Sequence, residues 1–141
     1  MKTSQTGVKP GNWPIEQLPG LSDRERERLS QCGIRSTEQL LQQARTPEAR
    51  LNLAKQLHLH IQYLNKWVAL ADLAAIPSVG CQYCGLLLHS GVASSKQLAQ
   101  LPAHRLHQQI SRLQVSMTQH KEAVSMARVA RWIQEAKLID R

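Results

Sequence analysis

The sequence predicts an all-α protein in which one helical pattern occurs twice and the two copies share a core. Three observations carry that expectation. Gly and Pro are scarce, 7 and 6 in 141 residues, which disfavours the turn-dense pattern of all-β chains. Residues 15–41 align without a gap on residues 73–99. Trp67 and Trp132 sit in stripes of identical helical spacing. Hydrophobic residues make up 42% of the chain but aromatics only 4%, with no Phe, so Leu, Val, Ile and Ala must fill most of that core.

Residues 1–14, MKTSQTGVKPGNWP, are polar, contain Gly and Pro and show no periodicity, and are read as a flexible N-terminal arm. The first unit spans residues 15–72. Its hairpin, LPGLS at 18–22, leads into a helix opened by the capping box Ser22 and Glu25. That helix interleaves Asp23, Glu25 and Glu27 with Arg24, Arg26 and Arg28, a mixed run that makes a solvated face. Gly33 sits where the helix should end in a left-handed residue. Ser36 with Gln39 opens the next helix, and Thr46 followed by Pro47 opens a third. A longer helix closes the unit, with Leu64, Trp67, Val68 and Ala71 at i, i+3, i+4 and i+7 on one face.

The second unit, residues 73–141, repeats these signals. IPSVG at 76–80 falls on LPGLS, Leu87 on Leu29, Gly91-Val92 on Gly33-Ile34, and SSKQL at 94–98 on STEQL at 36–40. Residues 102–113 take the part of the third helix. Val129, Trp132, Ile133 and Ala136 repeat the closing stripe, so both tryptophans are read as core rather than as base-stacking platforms.

These residues resemble tandem helix-hairpin-helix repeats. Residues 15–138 also resemble a bacterial family known as a domain of unknown function with two such repeats. The likeness is carried by WVALADLAAIPSVGCQYCGLLLHSGVASSKQLAQ and the closing VARWIQEAKLI. The resemblance implies two tandem helix-hairpin-helix-like repeats sharing one core, and it implies no reaction. In that motif a Gly-apolar-Gly hairpin opens a helix, and its backbone N–H groups form a concavity for a phosphate oxygen. Each hairpin here keeps one of the two glycines, as Gly20-Leu21-Ser22 and Ser78-Val79-Gly80. Asp23 follows the first and would repel phosphate, whereas no carboxylate is near the second in sequence. Phosphate contact is therefore expected at Ser78, Val79 and Gly80. Gly20, Leu21 and Ser22 are expected to be structural or to dock a partner.

Charge points the same way. Lys plus Arg total 18 against 10 Asp plus Glu, a net charge of +8 that favours polyanionic partners. From Leu73 to Lys121 there is no carboxylate, while Lys96, Arg105, Arg112 and Lys121 lie inside that stretch. These four cations complete the expected nucleic-acid surface, with DNA ahead of RNA and little sequence specificity, because phosphates carry no sequence. The rival expectation is a protein–protein adaptor whose hairpins or helices dock another protein.

Cys81 and Cys84 form a Cys-x-x-Cys pair at a helix start, a position that favours thiolates. A thioredoxin-type pair needs a neighbouring strand that this chain lacks, and a structural zinc site needs four ligands where no second Cys-x-x-Cys exists. Small buried residues are the plainer reading. His58 and His60 would point to different sides of a helix, and His104 and His107 are read as surface histidines. No Ser-His-Asp set, phosphate-cradling glycine loop or carboxylate pair is present, so neither catalysis, metal nor cofactor is expected. No apolar run suits a bilayer or a signal peptide, and an odd number of cysteines suits a reduced, cytoplasmic protein.

Overall fold

The computed structural model describes residues 7–116 and 123–139. Among them are eight α-helices, one 3-10 turn and no strand. A turn at Ile15–Gln17 leads to α1 (Asp23–Gln31), α2 (Thr37–Gln43), α3 (Pro47–Gln56) and α4 (Ile61–Ala74). The second half contributes α5 (Gly80–His89), α6 (Ser95–Gln100), α7 (Ala103–Ser116) and α8 (Met126–Leu138). The 72/73 boundary drawn from the sequence falls inside α4, which continues to the turn that opens α5.

Helices start and stop where capping chemistry directs them. The Ser22 hydroxyl accepts from the Glu25 amide at 3.1 Å, and the Glu25 carboxylate accepts from the Ser22 amide at 2.9 Å. Ser36 and Ser94 cap α2 and α6 by accepting from Gln39 and Gln97. The glutamines then reach one residue further back than in an ordinary capping box, to the amides of Arg35 and Ala93. That shared displacement is a likeness between the two halves. So are the ends of α1 and α5. Gly33 and Gly91 have φ of 81° and 96°, Ile34 N–H donates to Leu29 O at 2.9 Å, and Val92 N–H donates to Leu87 O at 3.0 Å. Both are Schellman closures in which the apolar residue after the glycine and the one it reaches back to are fully buried.

The core is one cluster drawn from both halves. Trp67 and Trp132 are buried together with Leu29, Leu40, Leu64, Leu87, Leu98 and Ile110. The main helix contacts run between α4 and α5, α6 and α8, α2 and α4, and α7 and α8. Thr37 and Ser95 are the buried polar residues among those described, and they occupy equivalent positions, each at the first turn after a capping serine. Each is satisfied from outside its helix. Thr37 exchanges hydrogen bonds with the Trp13 backbone at 3.0 and 2.9 Å, and Ser95 donates its amide and hydroxyl to Asp72 of α4 at 2.7 and 3.1 Å.

The expectation of a flexible arm is corrected for residues 7–14, which form a docked strap. Val8 N–H donates to Leu138 O and Gly11 N–H to Ala75 O, both at 2.7 Å, and the Trp13 indole N–H donates to Ala74 O at 2.7 Å. The physical reason lies at the end of α4. Its last carbonyls have no partner within the helix, and the strap supplies the donors. No helix among the described residues is long and apolar enough to cross a membrane.

Candidate functional site

The second hairpin was the expected phosphate cradle, and its donors are already occupied. The Ser78 amide and hydroxyl donate to the two carboxylate oxygens of Glu135 at 2.9 and 2.6 Å. The amides of Val79 and Gly80 donate to Ile76 O at 2.9 and 3.0 Å. The Ser78 carbonyl accepts from the Trp132 indole at 3.1 Å. Val79 and Gly80 are buried, and the Trp13 ring lies over Gly80, 3.4 Å from where a Cβ would stand. The expectation of open phosphate-facing amides at Ser78, Val79 and Gly80 is therefore corrected. The carboxylate absent from the neighbouring sequence arrives from α8, 57 residues away. Burial alone would raise the Glu135 carboxyl, but hydrogen bonds from the Ser78 hydroxyl and amide, and then Arg131 at 3.1 Å, hold it below its ordinary value.

Gly20 and Ser22 of the first hairpin are exposed, and Leu21 is half-buried. Gly20 has φ of 86° with open space around it. Its conformation, not crowding, requires glycine. The Ser22 amide is held by Glu25, and Asp23 is ion-paired with Arg26. Both hairpins thus carry an internal carboxylate on an amide that a phosphate would need.

The cations are exposed but lie on separate helices. Lys96 is in the first turn of α6, while Arg105 and Arg112 are seven residues apart on the exposed face of α7, opposite buried Leu106 and Ile110. No hydrogen bond or ion pair among the described residues joins them to each other or to Ser78. Lys121 lies outside the described residues.

The cysteines are free thiols. Burial, and then the neighbouring Cys81, pushes the Cys84 thiol up to about 12, and burial raises Cys81. The helix N-terminus does not overcome desolvation, so the pair lacks thiolate character at neutral pH. Among the described residues no three His, Cys, Asp or Glu side chains are placed to hold a metal ion.

What the fold leaves open is a groove of about 920 Å³ on the α2–α3–α4 side. Its walls are each pinned by a hydrogen bond already described or by Arg50. The strap wall is fixed by Gly11 on Ala75. The second-unit wall, at Ala93 and Ser94, is fixed through Ser95 on Asp72. The α3 wall is fixed by Arg50, whose Nε donates to Ala44 O at 2.9 Å and whose Nη1 donates to Asn65 Oδ1 at 3.5 Å. Leu41, Val68 and Ala69 supply apolar surface, and Arg45 lies at the rim in the turn between α2 and α3. No single sequence signal marked this groove, because its walls come from segments up to 84 residues apart, from Pro10 to Ser94. Trp13, an aromatic residue in a polar arm, hinted only at the docking of the strap.

The chain matches a family model described as a domain of unknown function (DUF4332) over residues 19–139, and it belongs to that family. No curated protein and no solved structure matches it.

Proposed function

We propose that this protein is a non-enzymatic docking module that holds a segment of another protein in the groove between α2, α3, α4 and the strap. The observation that carries this reading is the contrast between hairpins and groove. The hairpin amides that would hold phosphate are occupied by Glu135, Glu25 and Ile76 O, while the groove is open, partly apolar and walled by pinned elements. Its volume lies within the range of sites that bury a ligand or a short peptide segment. Three free cysteines suit a reducing, cytoplasmic setting for such a module.

Nucleic-acid binding is kept as a second reading on one observation. Arg105 and Arg112 share an exposed face of α7 inside the carboxylate-free stretch. Binding of that kind would be electrostatic, without a hairpin cradle.

Two measurements separate the readings. Ala69→Arg fills the groove from the solvent side of α4. It should abolish capture of a partner that Arg105→Ala/Arg112→Ala still captures. Duplex DNA affinity, followed against salt, should be weak in both proteins. Tight duplex binding with a log–log salt slope of roughly −3 to −5, lost with Arg105 and Arg112 and untouched by Ala69→Arg, would replace the docking reading with the nucleic-acid one.

A further inference from the structure

We infer that the segment seated in this groove is carboxylate-bearing, an acidic peptide stretch of a partner protein with apolar residues interspersed, and that Arg50 is its fixed anchor. The inference rests on the docking reading and adds the chemistry of the occupant.

Four charged residues line the groove, Glu38, Arg45, Arg50 and Asp72. Their signs balance, and the asymmetry is one of placement, with Arg50 half-buried and held in position and Glu38 exposed. Both carboxylate oxygens of Asp72 accept from Ser95, and a Glu38 oxygen accepts from the Gln42 side chain at 3.5 Å. Neither arginine is in an ion pair among the described residues, where the pairs are Arg26–Asp23 and Arg131–Glu135. A guanidinium carries five N–H donors. Two of those on Arg50 are engaged, by Ala44 O and Asn65, which leaves three for a ligand and fixes the plane of the group. A half-buried, pre-oriented guanidinium beside apolar surface is suited to a carboxylate, which it meets with a two-pronged geometry and little loss of side-chain freedom. Arg45, exposed at the rim, supplies a second, adaptable cation. The net charge of +8 draws an acidic segment in from a distance and disfavours a basic one.

The test places a photo-crosslinking amino acid at Gln42, an exposed residue of the groove wall, and for comparison at Gln109 on the outer face of α7. Adducts formed in the cells that make the protein are sequenced by mass spectrometry. The Gln42 position should yield peptides with a net negative charge, and Gln109 should not. Arg50→Gln should lower the Gln42 adduct yield tenfold or more. Because Arg50 also holds Ala44 and Asn65, Arg45→Gln serves as a variant with no such structural bond, and it should lower the yield several-fold at unchanged thermal stability. Neutral or basic peptides at Gln42, or yields indifferent to both arginines, would overturn the acidic assignment and leave docking in place. Nucleic-acid adducts alone, or no protein adduct at Gln42, would overturn both.

Discussion

Glu135 accepts from both donors of Ser78, the amide at 2.9 Å and the hydroxyl at 2.6 Å, while Trp132, three residues earlier on α8, donates to the Ser78 carbonyl at 3.1 Å. One residue of the α4–α5 turn is thus held at all three of its polar groups by adjacent turns of one helix. The same carboxylate accepts from Arg131. Beside it the Tyr83 ring lies 5.1 Å from the Trp132 ring and beneath Arg128. This contact ties the second hairpin to α8 and occupies the amide and hydroxyl of Ser78.

Replacing Glu135 with Ala should cost about 2–3 kcal/mol, since charge-assisted hydrogen bonds are lost and the Ser78 amide is left half-buried without its acceptor. The carboxyl is held below its ordinary value of 4.5 in the folded protein. Its ionic contribution is therefore complete above about pH 4.5 and is lost as pH falls through the lower folded value. Chemical denaturation of the native protein and Glu135→Gln should show a stability gap at pH 7 that narrows in acid. A gap unchanged between pH 7 and pH 2 would mean the carboxylate charge is not what stabilises the turn.

Trp13 joins the strap to the α4–α5 turn through its indole N–H on Ala74 O and through its ring on Gly80. Trp13→Ala should destabilise by about 3 kcal/mol, near the lower end for a large aromatic because this one is only half-buried. Amide exchange should quicken in residues 11–13 and in Thr37, whose N–H donates to Trp13 O. Unaltered exchange there would return the segment to the status of a loose arm.

His58 holds φ of 55° just after α3, the one non-glycine residue in the left-handed region among those described. It fills the Schellman position that glycine fills after α1 and α5, with Leu59 N–H reaching back to Ala54 O at 2.9 Å. His58→Gly should raise stability by up to about 1 kcal/mol, seen as a rise in Tm of roughly 3–5 °C. A fall in Tm would show that the imidazole makes a contribution larger than the backbone strain.

With the Cys84 thiol pushed up to about 12, roughly one molecule in 10⁵ carries its thiolate at neutral pH. Iodoacetamide labelling mapped by mass spectrometry should modify Cys84 at least about 100-fold more slowly in the native protein than in guanidinium. Rapid native labelling of Cys84 would reopen a redox role for the pair.

Helical class, helix starts and helix ends were legible in the sequence because they depend on local chemistry. Ser22, Ser36, Thr46 and Ser94 cap within three residues, Gly33 and Gly91 close helices through their own φ, and the stripes around Trp67 and Trp132 encode a buried face in a 3.6-residue period. The likeness of residues 15–41 to residues 73–99 was legible for the same reason, since it repeats local signals. What only the tertiary structure decided is which polar groups meet. Glu135 and Ser78 are 57 residues apart, Asp72 and Ser95 are 23 apart, and the Trp13 indole reaches Ala74 across 61 residues. Hydrogen-bond partners over such distances follow from how helices stack, and no local pattern specifies them. The second hairpin therefore looked free of carboxylates along the chain and is occupied by one in space. The groove beside α4 exists only where the strap, both units and α3 converge.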